Sequence, residues 1–309
     1  MKSRREEKRM IHVKGVTKTF DKEIAVQEVT MDVKQGSIYG LVGSNGAGKT
    51  TLLKMLAGIY RPDQGEIFIG GEPIFENVAM KRNVVFISDA LYFFPQVTIE
   101  QMASYYRSFY PNWSDERFET LQRVFPLEPS RKIHRLSKGM QRQVSFWLSL
   151  SCLPSVFILD EPMDGLDPVM RQKIKNLLFQ DVAERNMTVI ISSHNLREIE
   201  DMCDHIGMMH EGKIILEKDI DVLKSDTHKV QLAFDEEQKE EKILNDLTIV
   251  HKEKRGSVLL LIVRGEKDVI ERTIRAEKPL VFDMLPLTLE EMFIYEMGGV
   301  GYEVEQILY

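Results

Sequence analysis

The fold is decided by one short stretch of the chain, Gly43-Ser44-Asn45-Gly46-Ala47-Gly48-Lys49-Thr50-Thr51. It matches the pattern G-x-x-x-x-G-K-[ST] at every fixed position. The glycines let the backbone curl tightly and bring its N–H groups against a phosphate chain. Lys49 supplies a mobile charge for the β- and γ-phosphates, and Thr50 supplies a hydroxyl for Mg²⁺. The stretch therefore predicts a nucleotide-binding loop whose residues are all candidate contacts.

The segments on either side of the loop support this prediction. Residues 37–42 predict a short buried strand, and residues 51–58 carry apolar side chains at helical spacing. The start of that helix adds a positive dipole end where the phosphates would bind. The alternative is a glycine turn before an ordinary helix, which the lysine, the hydroxyl and the flanking strand together disfavour.

Length and composition set the broad class. The chain has 309 residues, 43% hydrophobic and 29% charged, which is typical of a globular protein with room for two domains. Its net charge of -7 does not favour a broad nucleic-acid-binding face, so no nucleic-acid partner is expected. Cys152 and Cys203 form no metal pattern and predict buried free thiols in a reducing cytosol.

Targeting and membrane segments are not expected. No run approaches the ~20 apolar residues that a membrane span needs. Residues 1–10 mix Lys, Arg and Glu, which predicts a solvated tail rather than a signal peptide. If the protein works at a membrane, another chain supplies the span.

Two carboxylates follow a second predicted strand. Residues 156–159 are apolar and lead into Asp160 and Glu161, at the strand tip where α/β folds bind ligands. Asp160 is the candidate Mg²⁺ ligand, and Glu161 is placed to orient a water at the γ-phosphate. His194 follows a further predicted strand, 188–192, and is placed to bridge that water and the γ-phosphate. Each residue alone has a structural alternative, a strand-end turn or a capped loop histidine, but their joint order after the loop favours a hydrolytic site.

The helical pattern of residues 98–150 predicts an insert between sheet strands, within a helical subdomain of about residues 88–152. Ser137 is placed as the N-cap of its last helix. Phe20 lies between two predicted strands, 11–13 and 26–33. Two roles remain open for Phe20 from spacing alone, stacking on a purine ring or packing in the core.

A composition shift near Asp226 predicts a boundary between a domain of residues 1–227 and an accessory domain of residues 228–309. The accessory domain is predicted to be α+β. Its predicted strands and helices are 229–234, 235–242, 258–263, 267–275, 280–282 and 287–297. Thr288 is the expected N-cap of the last helix, with Glu291 three residues on.

Together these motifs, in this order over residues 11–216, resemble those of the ATP-binding cassette (ABC) family. Residues 43–51 resemble its Walker A loop, 156–160 its Walker B strand, and 136–141 its signature segment. Glu161 is similar to the catalytic carboxylate, residues 164–167 to the D-loop, and His194 to the switch histidine. The resemblance implies an α/β phosphate-loop NTPase fold with a mixed sheet, ATP and Mg²⁺ as cofactors, and ATP hydrolysis.

The resemblance also implies partners. Two copies are expected to form a head-to-tail dimer, in which Ser137 and Gly139 of one copy cap the γ-phosphate on the loop of the other. Phe20 is implied as the adenine stacker. A separate membrane permease is implied, which would place the chain at the cytoplasmic face of the cell membrane.

Three positions depart from the family pattern. Lys138 stands where a glycine is usual, Gln143 where an arginine is common, and Asp89 where a glutamine is expected. Mg²⁺ favours oxygen ligands and keeps several of its waters, so Asp89 is predicted to reach the metal, through a bridging water. The alternative is that Asp89 faces the permease and never touches the metal.

Four features indicate the branch of the ABC family: residues 109–113, Lys138, the last predicted helix and the lack of a membrane span. These resemble the ATPases of ABC-2-type bacterial exporters that serve peptide, toxin or antibiotic efflux. Two alternatives are a non-transport ABC protein acting on ribosomes or DNA, and a regulatory module that holds ATP without turnover. Non-transport ABC proteins usually carry two cassettes in one chain or a long coiled-coil insert, and this sequence shows neither. The intact Lys49, Asp160, Glu161 and His194 disfavour a module that holds ATP without turnover.

Overall fold

The computed structural model describes residues 8–292, so residues 1–7 of the predicted tail and the part of the predicted last helix beyond Met292 lie outside the described residues. The prediction of a solvated tail was wrong for Arg9 and Met10, which begin the first strand. The chain divides into two compact units. Of the described residues, the first unit comprises 8–194 and 202–217, and the second comprises 195–201 and 218–292.

The strands are β1 (Arg9–Phe20), β2 (Glu23–Lys34), β3 (Ile38–Val42), β4 (Gln64–Ile69), β5 (Glu72–Pro73), β6 (Val84–Ile87), β7 (Val156–Asp160), β8 (Thr188–Ser193), β9 (His205–His210), β10 (Lys213–Asp219), β11 (Thr227–Ala233), β12 (Thr248–Arg255), β13 (Val258–Arg264) and β14 (Val281–Leu285). The helices are α1 (Lys49–Leu56), α2 (Val78–Lys81), α3 (Ile99–Phe109), α4 (Asp115–Gln122), α5 (Lys138–Ser151), α6 (Pro168–Arg185), α7 (Leu196–Glu200), α8 (Ile220–Asp226), α9 (Glu237–Asp246) and α10 (Lys267–Ala276). Among the described residues, no helix is both long and apolar enough to cross a membrane.

A six-stranded sheet positions the predicted site. Its strand order is β10-β9-β3-β8-β7-β6, and the pairs of β3 with β8, β8 with β7, and β7 with β6 are parallel. Every residue of β3, β7 and β8 is buried, which explains why these strands are recognisable as continuous apolar runs. Their parallel register sets Val42 beside Ser193, and Asp160 beside Ser192. The loops that follow these strands therefore meet at one edge of the sheet.

A long hairpin of β1 and β2 belongs to a second, four-stranded antiparallel sheet of order β2-β1-β4-β5. Asp21 and Lys22 form its turn with φ of 44° and 78°, the left-handed conformation that two-residue hairpins require. The prediction that Phe20 lies between two strands was wrong, because Phe20 is the last residue of β1. The side chains of β1 do not alternate strictly, since the β1–β2 pairing contains register shifts that interrupt the pattern.

The helical insert lies between β6 and β7, as predicted. Thr98 and Gln101 form a capping box at the start of α3. Most of α5 is buried, and Trp147 Nε1 donates to the carbonyl oxygen of Phe118 in α4 at 2.7 Å. Cys152, the C-cap of α5, is a buried free thiol as predicted, and burial raises its pKa.

The second unit contains an antiparallel sheet of order β12-β13-β11-β14. With α9 after β11 and α10 after β13, its chain order is βαββαβ, the ferredoxin-like arrangement. One face of the sheet packs on the buried side chains of Ile243, Ile270 and Ile274. Besides residues 195–201, the unit includes the chain from Lys218 onward rather than from the predicted residue 228, and α8 contacts β11 within it.

Two further features of the second unit differ from or extend the sequence prediction. Strand β12 was not predicted. Thr288 Oγ1 accepts from the backbone N–H of Glu291, so the expected N-cap of the last helix is present. Glu200 of α7, which belongs to this unit, accepts from the backbone N–H of Leu289 at 3.1 Å and pairs with Lys224 Nζ at 3.0 Å.

Candidate active site

The phosphate-loop backbone needs glycine at two of its positions. Gly43 has a φ of 157°, and a Cβ there would lie 2.2 Å from the carbonyl oxygen of Met209. Gly48 has a φ of 101°, and a Cβ there would lie 2.2 Å from the carbonyl oxygen of Ala25. Gly48 is also the N-cap of α1 and provides no side-chain cap, so the first amides of this helix keep their capacity to bind an anion.

Lys49 is the first residue of α1, and its side chain contacts the phosphate loop. Its Nζ donates to the carbonyl oxygens of Gly43 at 2.6 Å and Ser44 at 3.1 Å, and lies 3.6 Å from Glu161 Oε1. Burial lowers the pKa of Lys49, while the nearby Glu161 and Asp160 carboxylates oppose that shift. The ammonium group is thus held between the loop and the carboxylates, where a phosphate chain would meet it.

Asp160 is completely buried at the end of β7. Its Oδ2 accepts from Thr50 Oγ1 and its Oδ1 accepts from Ser192 Oγ, both at 2.8 Å. Two hydroxyl donors therefore fix the carboxylate beside the loop. The oxygen atoms of Thr50 and Asp160 form the hard donor set that Mg²⁺ prefers, so these residues fit the metal implied by the sequence.

Ser192 is a residue of the site that the sequence analysis missed. Besides donating to Asp160, its Oγ accepts from the backbone N–H of Glu161 at 3.0 Å. The sequence alone predicts only that it ends the strand 188–192. The signal that could have found it is its place two residues before His194, in a strand expected to run parallel to the strand of Asp160.

Glu161 directs its carboxylate toward His194. His194 Nδ1 lies 3.0 Å from Glu161 Oε2, and ligand atoms of Glu161, His194 and Asp164 lie within 4.8 Å of one another. Glu161 has a φ of 45°, a left-handed conformation that costs a side-chain-bearing residue about 1–3 kcal/mol and occurs at functional sites. The structure thus brings the predicted catalytic carboxylate and the predicted switch histidine into contact.

A second set of predicted residues surrounds the start of α5. Ser137 caps the helix by accepting from the backbone N–H of Met140 at 3.3 Å. A Cβ on Gly139 would lie 2.6 Å from the carbonyl oxygen of Gly165, so this position needs glycine for close approach. Asp89 Oδ1 lies 3.2 Å from Arg142 Nη2, and its predicted contact with the metal stays a prediction.

Phe20 is 41% exposed at the end of β1. Its ring meets that of Tyr60 edge to face at 5.5 Å between centroids, and Lys18 Nζ lies 5.4 Å from its centroid. The ring is therefore supported on one side and accessible on another, as a stacking platform requires. Its adenine contact stays a prediction.

A phosphate loop after one parallel strand, with paired carboxylates after another, defines a phosphate-loop nucleoside triphosphatase. Residues 26–164 match the family model described as ABC transporter. The chain is 31% identical over 290 residues to the ABC transporter ATP-binding protein YtrB of Bacillus subtilis, covering 94% of this chain and 99% of that protein. The chain therefore belongs to the ABC transporter family, as an ATP-binding subunit and ATPase.

Two further comparisons agree. The bacitracin transport ATP-binding protein BcrA of Bacillus licheniformis is 34% identical over 223 residues, which cover 71% of this chain and 73% of that protein. The solved structure of an ATP binding subunit of an ABC transporter is similar to this chain, with a TM-score of 0.65 and 26% identity, covering 70% of this chain and 92% of that chain. This likeness confirms the predicted fold class.

Proposed function

We propose that this chain hydrolyses Mg²⁺-ATP to drive a separate membrane permease that exports peptides or toxic amphipathic compounds. The observation that carries the hydrolytic part is the unbroken series of contacts from Thr50 through Asp160 and Ser192 to Glu161 and His194. It joins the phosphate loop to Glu161 and His194 through hydrogen bonds of 3.0 Å or less.

The reaction follows from the roles of these side chains. Glu161 accepts a hydrogen bond from a water and takes its proton as the water oxygen bonds to the γ-phosphorus. The bond from that phosphorus to the β–γ bridging oxygen breaks, and ADP leaves with the electron pair. His194 steadies Glu161 through Nδ1 and leaves its other ring nitrogen to face the γ-phosphate. Lys49 and the loop amides hold the β- and γ-phosphates in line.

Thr50 and Asp160 are the residues that would hold Mg²⁺. The ion, when bound, neutralises charge on the β- and γ-phosphate oxygens. The loop from Gly43 to Thr51 holds the phosphates.

The nucleotide site is proposed to be completed by a second copy. Ser137 begins a helix of 14 residues, α5, whose first amides and capping hydroxyl suit an anion. Gly139 packs against the carbonyl oxygen of Gly165 in the same chain, and both Ser137 and Gly139 would meet the γ-phosphate on the partner's loop in a head-to-tail dimer. Phe20 would stack on the adenine.

The permease and the membrane location are supported by the relatives, one of which is named as a bacitracin transport protein. We place the chain at the cytoplasmic face of the membrane, held there by the permease. Ribosome or DNA binding is not proposed, because the relatives are named as transporter subunits and the net charge is -7.

Co-purification tests the transport role. A tagged chain, expressed in the cells that encode it, is expected to co-purify from detergent-solubilised membranes with a protein of about six spans. The same tag on an unrelated cytoplasmic protein is the control. Recovery of the chain with ribosomal subunits, or without any membrane protein, would contradict the proposal.

A further inference from the structure

Arg142 connects two parts of the first unit that the sequence separates by 53 residues. It lies on the second turn of α5, and its side chain is 8% exposed. Its Nη1 donates to the carbonyl oxygen of Ser88 at 3.3 Å. Its Nη2 donates to the carbonyl oxygen of Asp89 at 3.2 Å and to Asp89 Oδ1 at 3.2 Å. One guanidinium group therefore binds two consecutive residues of the loop after β6.

These contacts are of two physical kinds. The two carbonyl bonds do not depend on which side chain stands at position 89. The bond to Asp89 Oδ1 does, because only a carboxylate supplies the countercharge that a buried guanidinium needs. A glutamine at this position would keep a hydrogen-bond acceptor and lose the charge. The aspartate and the arginine therefore act as a matched pair.

The pair lies beside the start of α5 and the loop that follows Glu161. Asp89 and Arg142 line a cavity together with Lys138, Gln141, Asp164 and Gly165. In the lining of this cavity, the two negative charges of Asp89 and Asp164 equal in number the two positive charges of Lys138 and Arg142. Gly139 also fits closely against the Gly165 carbonyl, so a shift of α5 would be transmitted to this loop.

We propose that Asp89 and Arg142 form a positioning clamp, which holds the start of α5 in a fixed relation to the loop after β6. The clamp keeps Ser137 and Gly139 aligned for the γ-phosphate of the partner copy. This role rests on the proposed function. It assigns Asp89 to Arg142 rather than to the metal, and it makes both residues positioning residues that do not touch ATP.

The test compares Asp89→Asn, Arg142→Lys and Arg142→Gln with the unaltered chain. The Asp89 side chain is 59% exposed, so loss of its charge in Asp89→Asn is expected to lower kcat about threefold to fivefold. Arg142→Gln is expected to lower kcat about tenfold or more, because three bonds to a buried group are lost. Arg142→Lys keeps the positive charge but loses the planar guanidinium group, so its kcat is expected to lie between those of the other two variants. The half-saturating Mg²⁺ concentration is expected to stay unchanged in all three.

A double-mutant cycle and a second readout separate a clamp from general damage. In the Asp89→Asn/Arg142→Gln double variant, the loss in kcat should be smaller than the product of the single losses. In a Glu161→Gln background, each clamp variant should weaken the ATP-dependent dimer by a similar factor. Glu119→Gln and Arg123→Gln remove exposed charges in the same helical insert and should change neither readout.

Two results would overturn the clamp. One is a raised Mg²⁺ requirement in Asp89→Asn together with wild-type kcat in Arg142→Gln, which assigns Asp89 to the metal. The other is wild-type kcat in both single variants. If Arg142→Gln fails to fold, Asp89→Asn and Arg142→Lys carry the same comparison. An unaltered chain without ATPase activity would count against the proposed function instead, so the two failures are distinguishable.

Discussion

The hydroxyl of Ser192 donates a hydrogen bond of 2.8 Å to Oδ1 of Asp160. The same hydroxyl accepts from the backbone N–H of Glu161 at 3.0 Å. One buried side chain thus sets the positions of two consecutive carboxylates with different roles. Asp160 accepts a hydrogen bond from Thr50 of the phosphate loop, and Glu161 contacts His194.

Ser192→Ala is expected to lower ATP turnover about tenfold. Without the hydroxyl, the buried Asp160 loses a donor and the N–H of Glu161 loses its acceptor, at a cost of about 1–3 kcal/mol. A steady-state ATPase assay measures the loss. Ser151→Ala is the matched control, because it removes a buried hydroxyl that donates to the carbonyl oxygen of Trp147 in α5 and should leave turnover unchanged. Equal turnover in both variants would remove Ser192 from the site.

Glu217 gives the stability of the protein a pH dependence. Burial raises its pKa, although hydrogen bonds from Tyr39 and the backbone of Asp32 oppose the shift. Its folded-state pKa lies above the unfolded value, so its favourable contribution is complete below the unfolded pKa. That contribution is lost as pH rises through the folded pKa.

Glu217→Gln is therefore expected to gain stability relative to the unaltered chain as pH rises from 4.5, the ordinary pKa of a glutamate. The amide keeps an acceptor for Tyr39 Oη, which lies 3.1 Å from Glu217 Oε1. Urea unfolding at pH 5 and pH 8 measures the difference. A stability difference between the two chains that is the same at both pH values would contradict the assignment.

The second unit is proposed to regulate the nucleotide site or hold two copies together, without contributing to ATP binding. A chain ending at Glu217 is expected to bind ATP while changing turnover or dimer stability. Truncation also removes Lys224 and Leu289, the partners of Glu200. Nucleotide binding and size-exclusion chromatography measure both effects.

A full-length variant provides the control for this truncation. Ile243→Asp places a charge in the buried core of the second unit and should disrupt that unit alone. A truncated or Ile243→Asp chain that keeps a folded first unit, judged by circular dichroism, yet cannot bind nucleotide would show that the assignment is wrong.

The parts of the fold that sequence analysis predicted are those with a local signal. Strands β3, β7 and β8 are buried on both faces and so appear as apolar runs. Strand β12 was missed because it is an edge strand whose exposed residues include His251, Lys252 and Arg255. Such a sequence resembles a charged loop, and only its pairing with β13 makes it a strand.

The same limit applies to the site. Lys49, Thr50, Asp160 and Glu161 were found because their spacing reflects one strand-to-helix unit or one strand end. The roles of Ser192 and Arg142 depend on register and on contacts across the fold. Ser192 reaches Asp160 only through the parallel pairing of β7 with β8, which a sequence pattern does not specify.

The central claim is that Glu161 is the general base of ATP hydrolysis, and Glu161→Gln tests it most directly. The amide keeps the size of the side chain but cannot take the proton of the attacking water, so steady-state turnover should fall by ~10²–10⁴ while ATP binding persists. Lys49→Ala is the comparison, because it should weaken nucleotide binding itself. Retained binding with turnover lost is the predicted result, and wild-type turnover in Glu161→Gln would contradict the account.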